Sequence, residues 1–272
     1  MLRRAFRVAY DGRPFHGFQR QPDVPTVEDA LFDALRAHGL LADGAVPDGY
    51  AAAGRTDAGV SALAQTVAFD CPEWLTPRAL NAELHDSVWA WAHADAPPAF
   101  HATHHATSRE YVYHLYAPDA DGSRAREAAA ALSGEYDFHN LTTDPDGTVR
   151  TLALSVADAG DFLRLRARAG GFPRGLVRRL ASLVRAVATG DASLAKVERV
   201  LASDPLPGPE GVPEAPPGPL VLAAVDYDLD FVPDRRAARD ARDFFADAAA
   251  QHRALGRANA TVRDGIGGAR NA

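Results

Sequence analysis

Two glycines, Gly54 and Gly59, enclose Arg55, Thr56, Asp57 and Ala58 directly after an apolar entry over residues 50–53. Glycine permits a tight turn and close approach of backbone to a ligand. A short carboxylate fixed on such a turn can act as nucleophile or base. In an extended chain Arg55 and Asp57 cannot lie on one side and also pair tightly, whereas a turn can splay both into one cleft. Residue types alone leave a second reading open, a surface turn with a local Arg–Asp pair. The glycine–lysine pairing of a P-loop is missing. Cys71, before Pro72 at a strand end, reads as a packed thiol.

The elements that must position this turn follow from the hydrophobic pattern. Phe6, Val8 and Tyr10 alternate with Arg7 and Ala9, which predicts a strand broken by Asp11-Gly12. Thr26 is placed to cap a helix with Glu28 and Asp29 in its first turn. Its apolar stripe is Val27, Ala30, Leu31, Ala34 and Leu35, and Gly39 ends it. A short helix starts at Thr76-Pro77, and residues 67–69 and 88–91 read as strands. Residues 94–98, Ala-Asp-Ala-Pro-Pro, mark a boundary between a half at 1–97, carrying the turn, and a half at 98–272. The second half reads as strands at 109–116, 152–156, 162–169 and 220–227. Helices are expected at 126–132, 174–189 and 235–255. A Pro/Gly-rich loop at 205–219 separates two of these elements, and a Gly- and Ala-rich tail at 256–272 is expected to be loose. Strands and helices mix without regular βαβ alternation. That predicts an α+β protein with helices on one face of a mainly antiparallel sheet.

Composition bounds the function. The 272 residues are 47% hydrophobic and 24% charged, which argues against a disordered or fibrous chain. A single cysteine forbids an internal disulfide and disfavours a cysteine zinc site. No stretch approaches the roughly 18 apolar residues of a membrane span, and the basic N-terminus lacks the apolar region of a secretory signal. An intracellular, cytoplasmic protein is expected. The net charge of −7 disfavours indiscriminate nucleic-acid binding. One of the 29 basic residues, Lys196, is lysine and the rest are arginine, whose forked guanidinium suits phosphates and base edges. Arg174, Arg178, Arg179 and Arg185 fall within one expected helix, so a local basic surface in an acidic shell is predicted.

The segment Gly54-Arg55-Thr56-Asp57-Ala58-Gly59-Val60 resembles the signature of the tRNA pseudouridine synthase A family. Ordered partners accompany it. Residues 10–12, 16–22 and 26–28 are similar to the family's N-terminal pattern, and Leu80-Asn81 with Phe100-His101-Ala102 precede its tyrosine motif at 108–113. Residues 172–178 resemble its third motif, and 215–222 with 225–227 its closing strand. Departures are Thr103 for the usual Arg, Ser61 for His, an extra small residue at Gly170-Gly171, and Leu176 for Met. The Asp- and Ala-rich, Lys-poor composition resembles that of proteins from salt-loving organisms, which points to an archaeal and haloarchaeal type.

The resemblance implies a pseudouridine synthase fold with two similar halves and a central cleft. It implies an isomerase that breaks a uridine's glycosidic bond, turns the base and rejoins it through carbon, without cofactor or metal. Asp57 would be the nucleophile, and Tyr111 would stack on the target uracil. Arg178 would pair with Asp57, and Arg55 would fill the space the base vacates. The implied partner is tRNA, at positions 38, 39 and 40 of the anticodon stem-loop, bound by a homodimer. His101, His104 and His105 then read as RNA-facing or structural rather than as metal ligands. Other readings are a synthase of different RNA specificity and a non-catalytic RNA-binding protein of the same fold. Without the resemblance, Tyr111 reads as strand packing and Arg178 as a solvated helix arginine.

Overall fold

The computed structural model describes residues 1–268. Strands β1 (Leu2–Tyr10), β3 (Ser61–Cys71) and β4 (Val88–Asp95) form the antiparallel centre of the first half, with short β2 (Ala51–Ala52) paired to β3. Strands β5 (Ser108–Tyr116), β6 (Gly134–Asp137), β7 (Val149–Ala159), β8 (Phe162–Ala169) and β9 (Leu220–Asp226) build the second. With β10 (Val232–Pro233) they make one continuous sheet, in the order β10-β4-β1-β3-β9-β5-β8-β7-β6. The halves join where β3 meets β9 in parallel, through Ser61 opposite Val221 and Ala62 opposite Leu222. All other strand pairings among the described residues are antiparallel.

Helix α1 (Val27–Ala37) starts as its sequence requires, with the Thr26 hydroxyl accepting from the Asp29 amide at 3.2 Å. Its stripe Val27, Leu31, Ala34 and Leu35 packs on Phe6, Val8 and Tyr10, with α2 (Pro77–Asn81) supplying Leu80. In the second half α3 (Gly122–Ala131), α4 (Leu176–Thr189) and α5 (Leu194–Leu201) cover Tyr113, Leu115, Leu163 and Leu165. The opposite face of the first half is closed around Ala5 and Ala68 by Phe100 and Ala102, with Tyr227 and Phe231 packed beside them. The last segment returns to the first half: β10 pairs with β4, and Phe244 of α6 (Arg235–Gly268) meets Trp89.

The structure corrects several boundaries. β3 runs well beyond 67–69 because Gln65 and Thr66, which interrupt the apolar pattern, are fully buried and hydrogen-bonded. α4 starts at Leu176 rather than 174, because Gly175 adopts a left-handed conformation with φ of 72°. The sequence pattern did not separate α5, whose buried side is only Val197 and Val200. The region 256–268, expected to be loose, is helical, since its alanines and arginines favour helix enough to carry Gly256. Residues 269–272 lie outside the described residues. No described helix is long and apolar enough to cross a membrane.

Candidate active site

The turn carrying Asp57 ends directly at the seam between the halves. It is fastened from behind by the N-terminal loop. The Phe18 amide donates to the Thr56 carbonyl at 3.0 Å, and the Gly59 amide to the Phe15 carbonyl at 3.3 Å. The Gly12 amide donates to the Ser61 hydroxyl at 3.1 Å. Gly12 also lies so close to the Val60 carbonyl that a methyl group there would overlap it. The buried Thr56 hydroxyl is 2.7 Å from the Tyr10 hydroxyl, and the Gln65 amide donates to the Gly54 carbonyl at 2.8 Å. Burial pushes the Tyr10 phenol above its ordinary value, against the hydrogen bond with Thr56, so this anchor stays neutral. Thr56 points inward, and Asp57 is left half-exposed in the cleft.

The opposing side comes from α4. Arg178, in its first turn, places Nη1 3.5 Å from Asp57 Oδ2. The same nitrogen is 2.6 Å from Glu214 Oε2, and Nε donates to the Ala215 carbonyl at 2.6 Å. Arg178 is therefore no solvated arginine: its side chain is only 16% exposed, held by the loop before β9 and turned toward Asp57.

Tyr111 forms the third side. Its ring meets Phe172 edge-on at 5.1 Å and packs against both cores. The β5–β9 register shifts between Glu110 and Tyr111, with Ala223 as the extra residue on β9, while β5 itself pairs regularly with β8. Burial pushes the phenol up to about 12, with Arg109 opposing and the Asp57 charge adding, so it is protonated at neutral pH. Arg55 is exposed on the turn, and among the described residues it makes no hydrogen bond or ion pair. All four residues line one cleft of about 1200 Å³.

Two residues of this site escaped the sequence reading. Arg109 donates to the Ala53 carbonyl at 2.6 and 3.1 Å, to Thr103 at 2.9 Å and to Gly170 at 2.6 Å. One guanidinium thus ties three segments around the cleft. Its signal was present, because residues two apart on a strand share a face and Arg109 is two before Tyr111. Glu214 is the second; it sits in the Pro/Gly-rich loop, where no periodicity marks it.

Of the expected arginine cluster, Arg174 and Arg178 line the cleft together with Arg20, Arg55, Arg109 and Arg150, while Arg179 and Arg185 lie outside it. Arg179 is bound by the Val212 carbonyl at 2.6 Å and by Glu214 at 3.1 Å. Arg174 precedes the helix and lines the cleft with its side chain 70% exposed, near Asp144, while Arg185 is exposed elsewhere on α4. The His101 and His104 rings meet at a tilt with centroids 4.2 Å apart, and His105 stacks on Phe100, away from the cleft lining. Among the described residues no group of three or more His, Cys, Asp or Glu is placed to hold a metal.

A family model described as tRNA pseudouridine synthase matches residues 128–228. The tRNA pseudouridine synthase A of Haloarcula marismortui is 55% identical, over 97% of this chain and 98% of its own. That of Halobacterium salinarum is 58% identical over 93% and 95%, and that of Methanocella arvoryzae 40% over 84% and 85%. The chain belongs to the tRNA pseudouridine synthase A family. The site shows how this member absorbs its departures from the family pattern. Ser61 accepts from the Gly12 amide, and Thr103 donates its hydroxyl to the Ala52 carbonyl at 2.6 Å. Both serve the framework of the cleft.

Proposed function

We propose that this tRNA pseudouridine synthase isomerises uridines in the anticodon stem-loop, at positions 38, 39 and 40, with Asp57 as nucleophile. The observation that carries the reading is the convergence of Arg55, Asp57, Tyr111 and Arg178, from three separate parts of the chain, on one cleft, with Asp57 3.5 Å from Arg178. The Asp57 carboxylate attacks a uridine turned out of its stack. The bond from N1 to the ribose carbon breaks, the base turns, C5 joins that carbon as the bond to Asp57 is broken and the carboxylate freed, and the C5 proton leaves while N1 gains one. The neutral Tyr111 ring offers an apolar face for the uracil, and Arg55 fills the space left behind in the RNA. Arg178 stabilises the carboxylate, so rate comes chiefly from positioning.

The division at residue 97 places the nucleophile turn in one half and the tyrosine and arginine motifs in the other. The resemblance also supports a cytoplasmic homodimer in which each tRNA contacts both subunits. The deciding experiment is incubation with undermodified tRNA, release of tritium from C5-labelled uridine, and mapping of the product. Pseudouridine confined to the 3′ side of the anticodon stem-loop supports the reading, and modification elsewhere overturns it. Sedimentation at equilibrium tests the dimer.

A further inference from the structure

We infer that Glu214 is a positioning residue for the isomerisation, acting through Arg178 by competing with Asp57 for its guanidinium. This rests on the reading of Asp57 as nucleophile. Arg178 Nη1 stands 2.6 Å from Glu214 and 3.5 Å from Asp57, so the closer ion pair is with the carboxylate that does no chemistry. Glu214 is itself fixed. Its other oxygen receives Arg179 at 3.1 Å, and the space against Gly175 that it occupies exists because that residue has no side chain: a Cβ there would come within 2.5 Å of Oε1. The loop bearing it is stitched to α4 by the Ala215 amide donating to the Arg178 carbonyl at 3.2 Å, by Arg178 to Ala215 and by Arg179 to Val212. The Tyr113 hydroxyl secures the next turn by donating to the Pro216 carbonyl at 3.0 Å.

The chemistry gives this competition a purpose. A guanidinium with no other partner can take a carboxylate in a short, bidentate grip that occupies both oxygens. An attacking carboxylate needs one oxygen free and pointed at its target. Glu214 occupies the strong partner position, so Arg178 reaches Asp57 only through one nitrogen, at the outer edge of contact. Charge stabilisation is kept and the attacking oxygen is left open.

The test is Glu214→Gln, which preserves size and hydrogen bonding and removes the charge. Steady-state and single-turnover tritium release on undermodified tRNA give kcat and KM, and thermal melting reports folding. The expected result is a kcat lower by ~10-fold or more, because small misplacements of a reacting group carry costs of that order, with KM and melting temperature unchanged. Glu214→Asp, which keeps the charge, restores part of kcat. In an Arg178→Ala background, Glu214→Gln produces no further loss, since residues acting as a unit are non-additive. Unchanged kcat, additive losses, or a kcat loss that tracks loss of folded protein each overturns the inference. Absence of tritium release by the wild-type enzyme defeats the underlying reading instead.

Discussion

The turn that carries Asp57 and the helix end that carries Arg178 face each other across 3.5 Å, held in place by different forces. Behind Asp57 the contacts are steric and neutral: backbone hydrogen bonds to the 12–18 loop, a buried Tyr10–Thr56 hydroxyl pair, and Gly12 against the Val60 carbonyl. Around Arg178 the contacts are ionic: two arginines, one glutamate and the carbonyls of Val212 and Ala215. Asp57 sits on a part that cannot move without a clash. Its counter-ion sits on a part that charge or solvent can retune.

Asp57→Asn is the most damaging test. It preserves shape and removes the carboxylate proposed as nucleophile, so tritium release should fall by at least ~10⁴-fold while filter binding still detects tRNA. Robust turnover would move the chemistry off the rigid side altogether. Gly12→Ala probes that rigidity away from the reacting atoms. The added methyl meets a backbone carbonyl, and a loss of ~2–3 kcal/mol in urea unfolding is expected, with activity reduced alongside. Unchanged stability would show that the turn tolerates displacement.

How legible the two sides were from sequence follows the same contrast. The glycine spacing of Gly54–Gly59 marks a turn, and the opening strand and α1 follow from local patterns, whereas the Gly12–Ser61 contact that fixes the turn joins residues 49 apart, which only the tertiary fold brings together. Resemblance singled out Arg178, but its fixation depends on Glu214, 36 residues later in an aperiodic loop. Arg109 was readable from strand alternation with Tyr111, yet the three carbonyls it gathers come from segments that only the tertiary fold brings near. Of the four helix arginines, Arg174 and Arg178 reach the cleft and Arg179 is taken up by Val212 and Glu214, because sequence counts charges but not their partners.

Tyr111 lies between the two regimes, packed against both cores. Tyr111→Ala should cost on the order of 1–3 kcal/mol of base stacking, read as weaker tRNA binding and slower turnover. Tyr111→Phe should keep affinity and slow turnover where the protonated phenol takes part in proton handling. Equal binding and turnover in Tyr111→Ala and wild type would reduce the residue to packing. The smallest effect is expected at Arg55, an exposed cation with no protein partner among the described residues. Arg55→Ala should flatten the log–log dependence of tRNA affinity on salt by about 0.7 to 1. An unaltered slope would mean that Arg55 meets no phosphate.

The two-pair parallel seam between β3 and β9 also sets a timetable for the nascent chain. Its partners are about 160 residues apart, and contacts across so long a loop carry a high closure entropy and form late. The Asp57 turn leaves the ribosome early and can fold against its own N-terminal loop. Its arginine neighbour and β9 come much later. The two halves are thus joined only at the end of synthesis, and a chain truncated before residue 220 would lack the strand that ties β3 to β5 beside the Asp57 turn.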